Sequence, residues 1–559
     1  MKKLSGAAMA AGIVLSAAIS GCCTDNEVQN EIVITPSATS SRAVVNPWQQ
    51  PRKKLIDMSW SNPSVDYLVE HLARMEQEAQ VDGITVRFVG RKPGVEGKAG
   101  DVHCHNIITK DMWQYEWFAD QIAKYNNLNF TRFTDNFIYT TMTPARDMDW
   151  FDDAYWAAIC NNYGILARIS RECNMTGIVF DSEEYGGRVW GNYKGSDRDA
   201  AIAKARQRGQ EWGRAVFTEN PNVTLLCLFF FSHGTFIMGD AESSTLIHSF
   251  YNGVMDVMPP TATILDGHEY FGYFGRNYEC YAKLRYDIDH TFRSRVAANN
   301  FAKYRTQVQL AAPMYIDAVT GANASFHRFL QPEIDNQPRL DFIRQCLWNA
   351  MCVSDQYVWF YSERGCFWSQ SAHPRVASTW DEKIPGFNAM LAELREITAI
   401  DLTGLSNILL IPQLNADPAV KEPGPWQFHA TREGDATDKS GWKDGKVYIT
   451  GPQTDSYTGQ SVTIQPGKRY LLKVETRIRT NAGSGQIYMG ISFSDADGKT
   501  LPQSREVCIQ QLTGGYWEEI VFLITAPENA ATATFKLGVK GLLADQVVEF
   551  QHPQLIELP

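Results

Sequence analysis

The chain has 559 residues, of which 44% are hydrophobic and 21% charged, and its formal net charge is −11. That length exceeds one ordinary domain, and the composition is that of a globular protein rather than a disordered one. Lys and Arg are scattered along an acidic chain, which argues against nucleic acid as a partner because phosphate binding needs a concentrated basic surface.

Residues 1–21 predict a lipoprotein signal peptide. Lys2 and Lys3 precede an uncharged apolar run, and small residues at Ser20 and Gly21 precede Cys22. This order resembles a bacterial lipobox, which implies acylation of Cys22 and attachment through membrane lipid to the outer membrane or cell surface. A plain secretory signal is the alternative. Residues 22–50 are polar and rich in Ser and Thr, which predicts a flexible tether.

Residues 51–404 predict a (β/α)8 TIM barrel. An apolar run followed by an amphipathic helical segment occurs eight times, from "KLIDMSW" with "VDYLVEHLARMEQEA" to "QYVWFYSERGCFW" with "IPGFNAMLAELREI". Near-continuous apolar strands indicate a parallel sheet covered by helices, and eight units are the number that closes a barrel. A doubly wound open sheet is the alternative, but no Gly-rich phosphate loop follows any strand.

Polar and aromatic residues end nearly every predicted barrel strand, and the carboxyl ends of the strands form the active-site face of such barrels. We therefore expect a substrate pocket there. Its expected catalytic residues are Glu183, Glu363, Glu269 and Asp181, and its expected substrate-binding residues are Asp57, Trp60, Arg87, Asp135, Tyr185, His233, His268, Tyr315, Asp317, Tyr361 and Trp368.

Alternation along the fourth strand, "GIVFDSEEY", sorts its carboxylates. Ile178 and Phe180 suit the outer face against helices, and this aims Asp181 and Glu183 inward over the barrel mouth. Glu184 is expected to point aside, capping backbone or binding at the rim.

Paired carboxylates across a barrel mouth are what cleavage of a glycosidic bond requires, one as general acid and one as nucleophile or base. We expect Glu183 to be the general acid/base, with its pKa raised by Asp181, and Glu363 or else Glu269 to be its partner. No cofactor or metal is expected. Two alternatives stay open, a glycan-binding protein without activity and a metal-dependent barrel hydrolase using His103, His105, His233 and His268.

The chain as a whole resembles secreted glycoside hydrolases that carry a barrel and an appended sandwich, which implies a glycan substrate. The stretch "FDSEEY" is also similar to the Asp-x-Glu ending of the fourth strand in chitinase-like barrels. The carboxylates that precede that ending in the family are missing here, where Met175, Ile178 and Val179 stand. The chain is therefore not assigned to that family.

Residues 405–559 predict an antiparallel β-sandwich, because short alternating strands are separated by turns such as "QPGK" and "DADG". Asn407-Ile408-Leu409, Trp426, the strand from Gln460 to Tyr470 and Trp517 follow an order that resembles carbohydrate-binding modules of the family 4/9 type. The resemblance implies sugar binding, with Trp426, Trp442 and Tyr457 as stacking residues. A spacer that binds nothing is the alternative.

Overall fold

The computed structural model describes the chain from residue 53 onward with gaps. Described are residues 53–141, 147–184, 189–191, 195–233, 245–335, 338–371, 373, 376, 378–399, 402, 404–410, 414, 426–431, 440–478, 485–503, 505–510 and 517–559. The predicted signal peptide, Cys22, the tether and Tyr185 lie outside these residues. No helix in the described ranges is long and apolar enough to cross a membrane.

A parallel sheet closes into a barrel, which confirms the predicted fold class. Its nine segments pair in the order β10-β11-β1-β2-β5-β6-β7-β8-β9. Only Ala311 separates β9 from β10, so these segments are two halves of one kinked strand, and the ring has eight strands. The segments are β1 (Lys54–Asp57), β2 (Gly83–Val86), β5 (Phe137–Thr141), β6 (Gly177–Asp181), β7 (Thr224–Cys227), β8 (Thr263–Asp266), β9 (Val308–Leu310), β10 (Ala312–Tyr315) and β11 (Tyr357–Tyr361). A short hairpin of β3 (Val89–Arg91) and β4 (Asp101–His103) follows β2.

Helices cover the outside of the barrel. Phe180 on β6 shows why, because its ring packs against Tyr163, Trp212 and Phe250 from three successive helices. The helices are α1 (Val65–Glu78), α2 (Ala119–Asn126), α3 (Asp153–Glu172), α4 (Arg198–Glu219), α5 (Thr245–Val257), α6 (Tyr278–Tyr286), α7 (Phe301–Gln307), α8 (Ile316–Thr320), α9 (Ala324–Ile334), α10 (Arg339–Val353), α11 (Trp380–Lys383) and α12 (Phe387–Ala399).

The inward row of β11 fills the barrel interior. The ring of Tyr357 meets that of Phe137 across the barrel at 6.0 Å. Two residues on, the Trp359 indole donates to the carbonyls of Gly267 and Ala311, each at 3.1 Å. Because strand side chains alternate, Tyr361 and then Glu363 continue the same row toward the mouth.

The third barrel strand begins at Phe137, two residues after Asp135. The carboxylate of Glu76 on α1 accepts the backbone N–H groups of Thr131 and Phe133, at 3.0 and 2.9 Å, which holds this segment as a loop. Asp135 therefore precedes β5 and lies at the amino-terminal end of the barrel. There it pairs with Lys54 at 2.9 Å. Its expected place at the mouth was wrong.

Two antiparallel sheets of five strands each form the carboxyl-terminal sandwich, with orders β12-β15-β20-β17-β18 and β13-β14-β21-β16-β19. Apolar side chains from both sheets meet between them. The expected boundary at residues 404/405 stays a prediction. The strands are β12 (Gln427–Thr431), β13 (Gly441–Lys443), β14 (Lys446–Thr450), β15 (Gln453–Thr463), β16 (Arg469–Ile478), β17 (Gln486–Ser494), β18 (Arg505–Gln510), β19 (Glu518–Thr525), β20 (Thr532–Leu542) and β21 (Val547–Glu557).

Candidate active site

The fourth barrel strand, β6, delivers the first carboxylates to the mouth. Asp181 is in register with Thr141 of the neighbouring strand, and the hydroxyl of Tyr139 on that strand donates to Asp181 Oδ2 at 3.4 Å. The other oxygen, Oδ1, accepts the backbone N–H of Glu183 at 2.9 Å. Asp181 thus faces inward and holds the backbone of the half-buried Glu183. Glu184 turns aside, because its carboxylate accepts the N–H of Trp190 at 2.7 Å.

A left-handed turn after β8 places Glu269. His268 has φ 39° and ψ 53°, and its N–H donates to Asp266 Oδ1 at 3.1 Å. Such a conformation is uncommon for a residue with a Cβ and often marks a functional site. The His268 ring packs beside Phe292, with centroids 5.6 Å apart. The chain reverses at His268, and Glu269 begins a 3-10 helix that ends at Tyr273.

Glu269 has the most perturbed environment in the mouth. Its side chain is almost fully buried, Oε1 accepts the Tyr273 hydroxyl at 2.5 Å, and Oε2 has no partner among the described residues. Burial raises the pKa of Glu269 well above its usual value, and the negative charges of Glu183 and Asp181 raise it further. Both causes favour the protonated form of Glu269 over the ionised one.

Tyrosines and a tryptophan surround Glu363 on the opposite wall. The hydroxyls of Tyr361 and Tyr315 donate to Glu363 Oε1 at 3.2 and 3.5 Å. The Trp60 indole donates to the Tyr361 hydroxyl at 3.0 Å, and the rings of Tyr315 and Tyr361 stack with centroids 5.2 Å apart. Asp317 is buried behind this wall, where it accepts the Glu363 N–H and where burial raises its pKa to about 6. Asp317 therefore positions Glu363.

The structure turns several expected substrate-binding side chains away from the mouth. Asp57 is in register with the outward-facing Phe360 and is 1% exposed. Trp368 is fully buried against Phe133, at a centroid distance of 6.4 Å. These two residues, like His268, belong to the packing of the fold, and their expected contact with substrate was wrong.

His233 is also buried, and its ring lies beside Trp190 and Phe229, with centroids 6.4 and 5.8 Å away. Burial and the charge of Arg295 lower its pKa to about 3. At neutral pH the ring is therefore uncharged within an aromatic cluster.

Arg87 lies on the inward row of β2. Gly83 pairs with the inward-facing Ile56, and Thr85 pairs with Phe137, so Arg87 continues the same row at the mouth. Its side chain is half-buried, and Nε donates to the Asn62 carbonyl at 3.1 Å.

Two histidines of "DVHCHN" lie near Arg87. The thiol of Cys104 donates to the Tyr139 carbonyl at 3.3 Å, which anchors the turn on the third barrel strand. The rings of His103 and His105 are 5.2 Å apart. Burial, then His103 and Arg87, lower the pKa of His105 to about 4. Within the described ranges, no three His, Cys, Asp or Glu side chains are grouped to hold a metal ion.

Sequence reasoning missed Tyr139 and Tyr273. Tyr139 is two residues before Thr141 in "FIYTT", so alternation would have placed it inward once the strand start was known. Tyr273 is four residues after Glu269, a helical spacing that puts both side chains on one face.

The sandwich carries an aromatic row on one sheet. His429, Tyr457, Gly538 and Tyr488 pair in register across four strands, so their side chains share a face. The rings of His429 and Tyr457 stack at 4.8 Å. Trp426, by contrast, is fully buried in the core, which overturns its expected stacking role.

Trp442 packs edge-on against Phe428 at 4.4 Å, beside the sandwich core. Of the three expected stacking residues, Tyr457 is the one placed on the aromatic row.

No protein-family model matches the chain, and no curated protein matches it. Solved structures are similar to parts of it. One is a family 4 carbohydrate-binding module, 17% identical, covering 24% of this chain and 86% of that chain at a TM-score of 0.18. A second comprises family 22 binding and family 10 hydrolase modules of Clostridium thermocellum endo-1,4-β-D-xylanase 10B with xylohexaose, 13% identical, covering 24% and 26% at 0.18. A third is an arabinose-bound family 51 α-L-arabinofuranosidase, 15% identical, covering 28% and 27% at 0.20. The matches span about a quarter of each enzyme chain.

Proposed function

We propose that the chain is a glycoside hydrolase that cleaves a complex glycan or polysaccharide at the barrel mouth, with Glu269 as the general acid and Glu183 as its ionised partner. The observation that carries this proposal is the buried carboxyl of Glu269, which faces the charge of Glu183. Hydrolysis of a glycosidic bond needs one protonated and one ionised carboxyl group, and neighbouring carboxylates in unlike surroundings supply that pair.

The surroundings of the two groups assign their roles. Burial and the charges of Glu183 and Asp181 favour the protonated form of Glu269. The Tyr273 hydroxyl donates to Oε1, so Oε2 is the oxygen left to carry the proton of Glu269. Glu183 is less buried, and its backbone is held by Asp181. This reverses the sequence-based expectation, in which Glu183 was the acid.

The opposite wall supports sugar binding. The half-buried Trp60 and Tyr361 offer ring faces and a hydroxyl group, which suit the apolar faces and hydroxyls of a pyranose. Glu363 already accepts two tyrosine hydroxyls, and we assign it to sugar hydroxyls rather than to the reacting bond.

Two isosteric variants and two kinds of substrate test the roles. Glu269→Gln should lower turnover of natural glycans by about 10²–10⁴-fold, the usual contribution of a general acid. It should retain far more activity on aryl glycosides, whose phenolate leaving groups need no proton. Glu183→Gln should lose activity on both. Glu172→Gln, at an exposed pair with Arg168 on α3, is the control. Equal losses of Glu269→Gln on both substrates would contradict the assignment.

The product anomer, observed by NMR in the first turnovers, decides between retention and inversion. A wild-type protein that binds glycans without turnover would support the non-catalytic alternative. Loss of activity with chelator and its recovery with zinc would support the metal-dependent one.

The sandwich is proposed as a glycan-binding module. The half-buried Tyr457 lies between His429 and Gly538, and the Lys536 ammonium is 5.1 Å from the centre of its ring. An aromatic face beside charged groups suits a sugar ring. Retardation in polysaccharide gels should be lost in Tyr457→Ala and kept in Trp517→Phe.

The lipid anchor is proposed on the lipobox-like residues before Cys22. Radiolabelled palmitate should be incorporated into the expressed wild-type protein and absent from Cys22→Ala. A labelled Cys22→Ala protein would refute this site.

A further inference from the structure

The mouth divides into a carboxylate side and a side that bears nitrogen bases. Asp181, Glu183, Glu269 and Glu363 come from β6, β8 and β11 or the residues after them. Arg87, His103 and His105 come from β2 and the hairpin that follows it, on the other side of β5. We refer to these last three residues as the basic rim.

No carboxylate of the described residues pairs with the basic rim. Among the residues that the structure describes, no carboxylate bonds to Arg87, and its only hydrogen bond is to the Asn62 carbonyl. His105 Nδ1 is buried and without a partner in the same ranges. Residues 142–146 and 185–188, which follow β5 and β6, contain no Asp or Glu. A half-buried guanidinium without an anion has lost part of its hydration, and an anion from a ligand would offset that cost.

The position of the basic rim suits substrate. Arg87 is on the inward row of β2, and Cys104 anchors the histidine turn to the carbonyl of Tyr139. The hydroxyl of Tyr139 donates to Asp181 on the catalytic side. A sugar held at the carboxylates, or the next sugar in the same glycan, therefore lies beside the basic rim.

We propose that Arg87, with His103 and His105, forms a subsite at the barrel mouth for an anionic substituent of the glycan, a carboxylate or a sulfate. The subsite rests on the proposed function only in taking the mouth as the place where the glycan binds. A guanidinium donates two parallel N–H bonds to planar carboxylate or sulfate oxygens, and uncharged imidazoles add single N–H donors. Neutral sugars offer no group that would balance the Arg87 charge.

Binding without turnover tests the subsite. The Glu269→Gln protein is applied to an array of oligosaccharides that contain uronic acids, sulfated sugars or only neutral sugars. Binding to a carboxylate and binding to a sulfate are thereby measured separately. We expect tighter binding of uronate or sulfated glycans. Adding Arg87→Gln should weaken that binding by about 10- to 100-fold and leave neutral glycans unchanged, since a bond to a charged group is lost. Arg87→Lys should restore only part of the affinity for anionic glycans, because an ammonium group cannot donate the two parallel N–H bonds of a guanidinium.

Arg91→Gln is the matched control, because it removes the same charge from the hairpin that follows β2, where Arg91 pairs with Asp101 at the surface. Thermal unfolding checks that each variant is folded, and the sandwich contributes equally to all of them. Preference for neutral glycans, no binding of anionic glycans, or binding indifferent to Arg87 would overturn the subsite.

Turnover is measured separately. Wild-type hydrolysis of neutral glycans without dependence on Arg87 would keep the proposed function and remove the subsite. Anion-dependent binding through Arg87 with no turnover in the wild type would keep the subsite and refute the proposed function.

Discussion

Replacing Asp57 with Asn should change stability with opposite signs at low and high pH. The Asp57 carboxyl is 1% exposed and accepts the Ser59 hydroxyl at Oδ2, at 3.0 Å, while Oδ1 has no partner among the described residues. Burial raises its pKa from 3.8 to about 7. The folded protein therefore holds a proton that the unfolded chain has already lost at pH 6.

The direction in which stability changes with pH follows from this raised pKa. Below pH 4 both states are protonated and the full stability is present. As pH rises, the unfolded chain ionises first and stability falls until the pH passes about 7. At about 1.4 kcal/mol per pKa unit, the loss is about 1 kcal/mol at pH 4.5 and about 4 kcal/mol at pH 8. An Asn places an unpartnered N–H donor at the Oδ1 position, which costs about 1–3 kcal/mol at every pH.

Asp57→Asn should therefore be no more stable than wild type at pH 4.5, and more stable by about 1–3 kcal/mol at pH 8. Urea unfolding followed by tryptophan fluorescence at both pH values measures the difference. Asp256→Asn is the control, because the paired Arg206 holds the pKa of Asp256 below its usual value, so this carboxylate is ionised at both pH values and its replacement should cost the same at each. A greater destabilisation of Asp57→Asn at pH 8 than at pH 4.5 would refute the reasoning. Hydrolysis should persist in this variant, since Asp57 faces away from the mouth.

Three further variants probe the mouth, the barrel and the sandwich. Tyr273→Phe removes a bond that lowers the pKa of Glu269, so the alkaline limb of kcat/KM should move to higher pH; a shift to lower pH would contradict the role of Glu269 as acid. Trp359→Phe leaves two backbone carbonyls without their donor and opens a cavity, so denaturant unfolding should show a loss of about 2–4 kcal/mol, and an unchanged midpoint would be inconsistent with the interior packing. Gly538→Ala would place a Cβ 2.4 Å from the Tyr488 ring; it should cost about 1–3 kcal/mol in the sandwich and weaken retention in polysaccharide gels, and unchanged retention would argue against the aromatic row as a binding surface.

The barrel and part of its site can be predicted from local sequence patterns. The repeated alternation of apolar strand and amphipathic helix predicts the eight-stranded ring, because each pattern is set by the side-chain period of its own element. The same period places Asp181 and Glu183 on the inward face and Phe180 on the outward one, as the ring contacts of Phe180 with three helices confirm. A strand ending alone does not say which way its side chain faces, and Asp57 and Trp368 were misplaced for that reason.

Other features depend on partners that are distant in the sequence. The position of Asp135 was predicted wrongly because the Glu76 carboxylate on α1 binds backbone N–H groups of the loop before β5, so the strand begins after Asp135. The roles proposed for Glu183 and Glu269 depend on burial and on charges contributed by different strands, and the left-handed turn at His268 directs Glu269 only after β8 is in place. The sequence by itself determined the barrel and the inward Asp181 of β6, since these follow from local periodicity. Only the tertiary structure decided that the pKa of Glu269 is raised, because a pKa is set by the charges and the solvent exclusion that folding brings around the group.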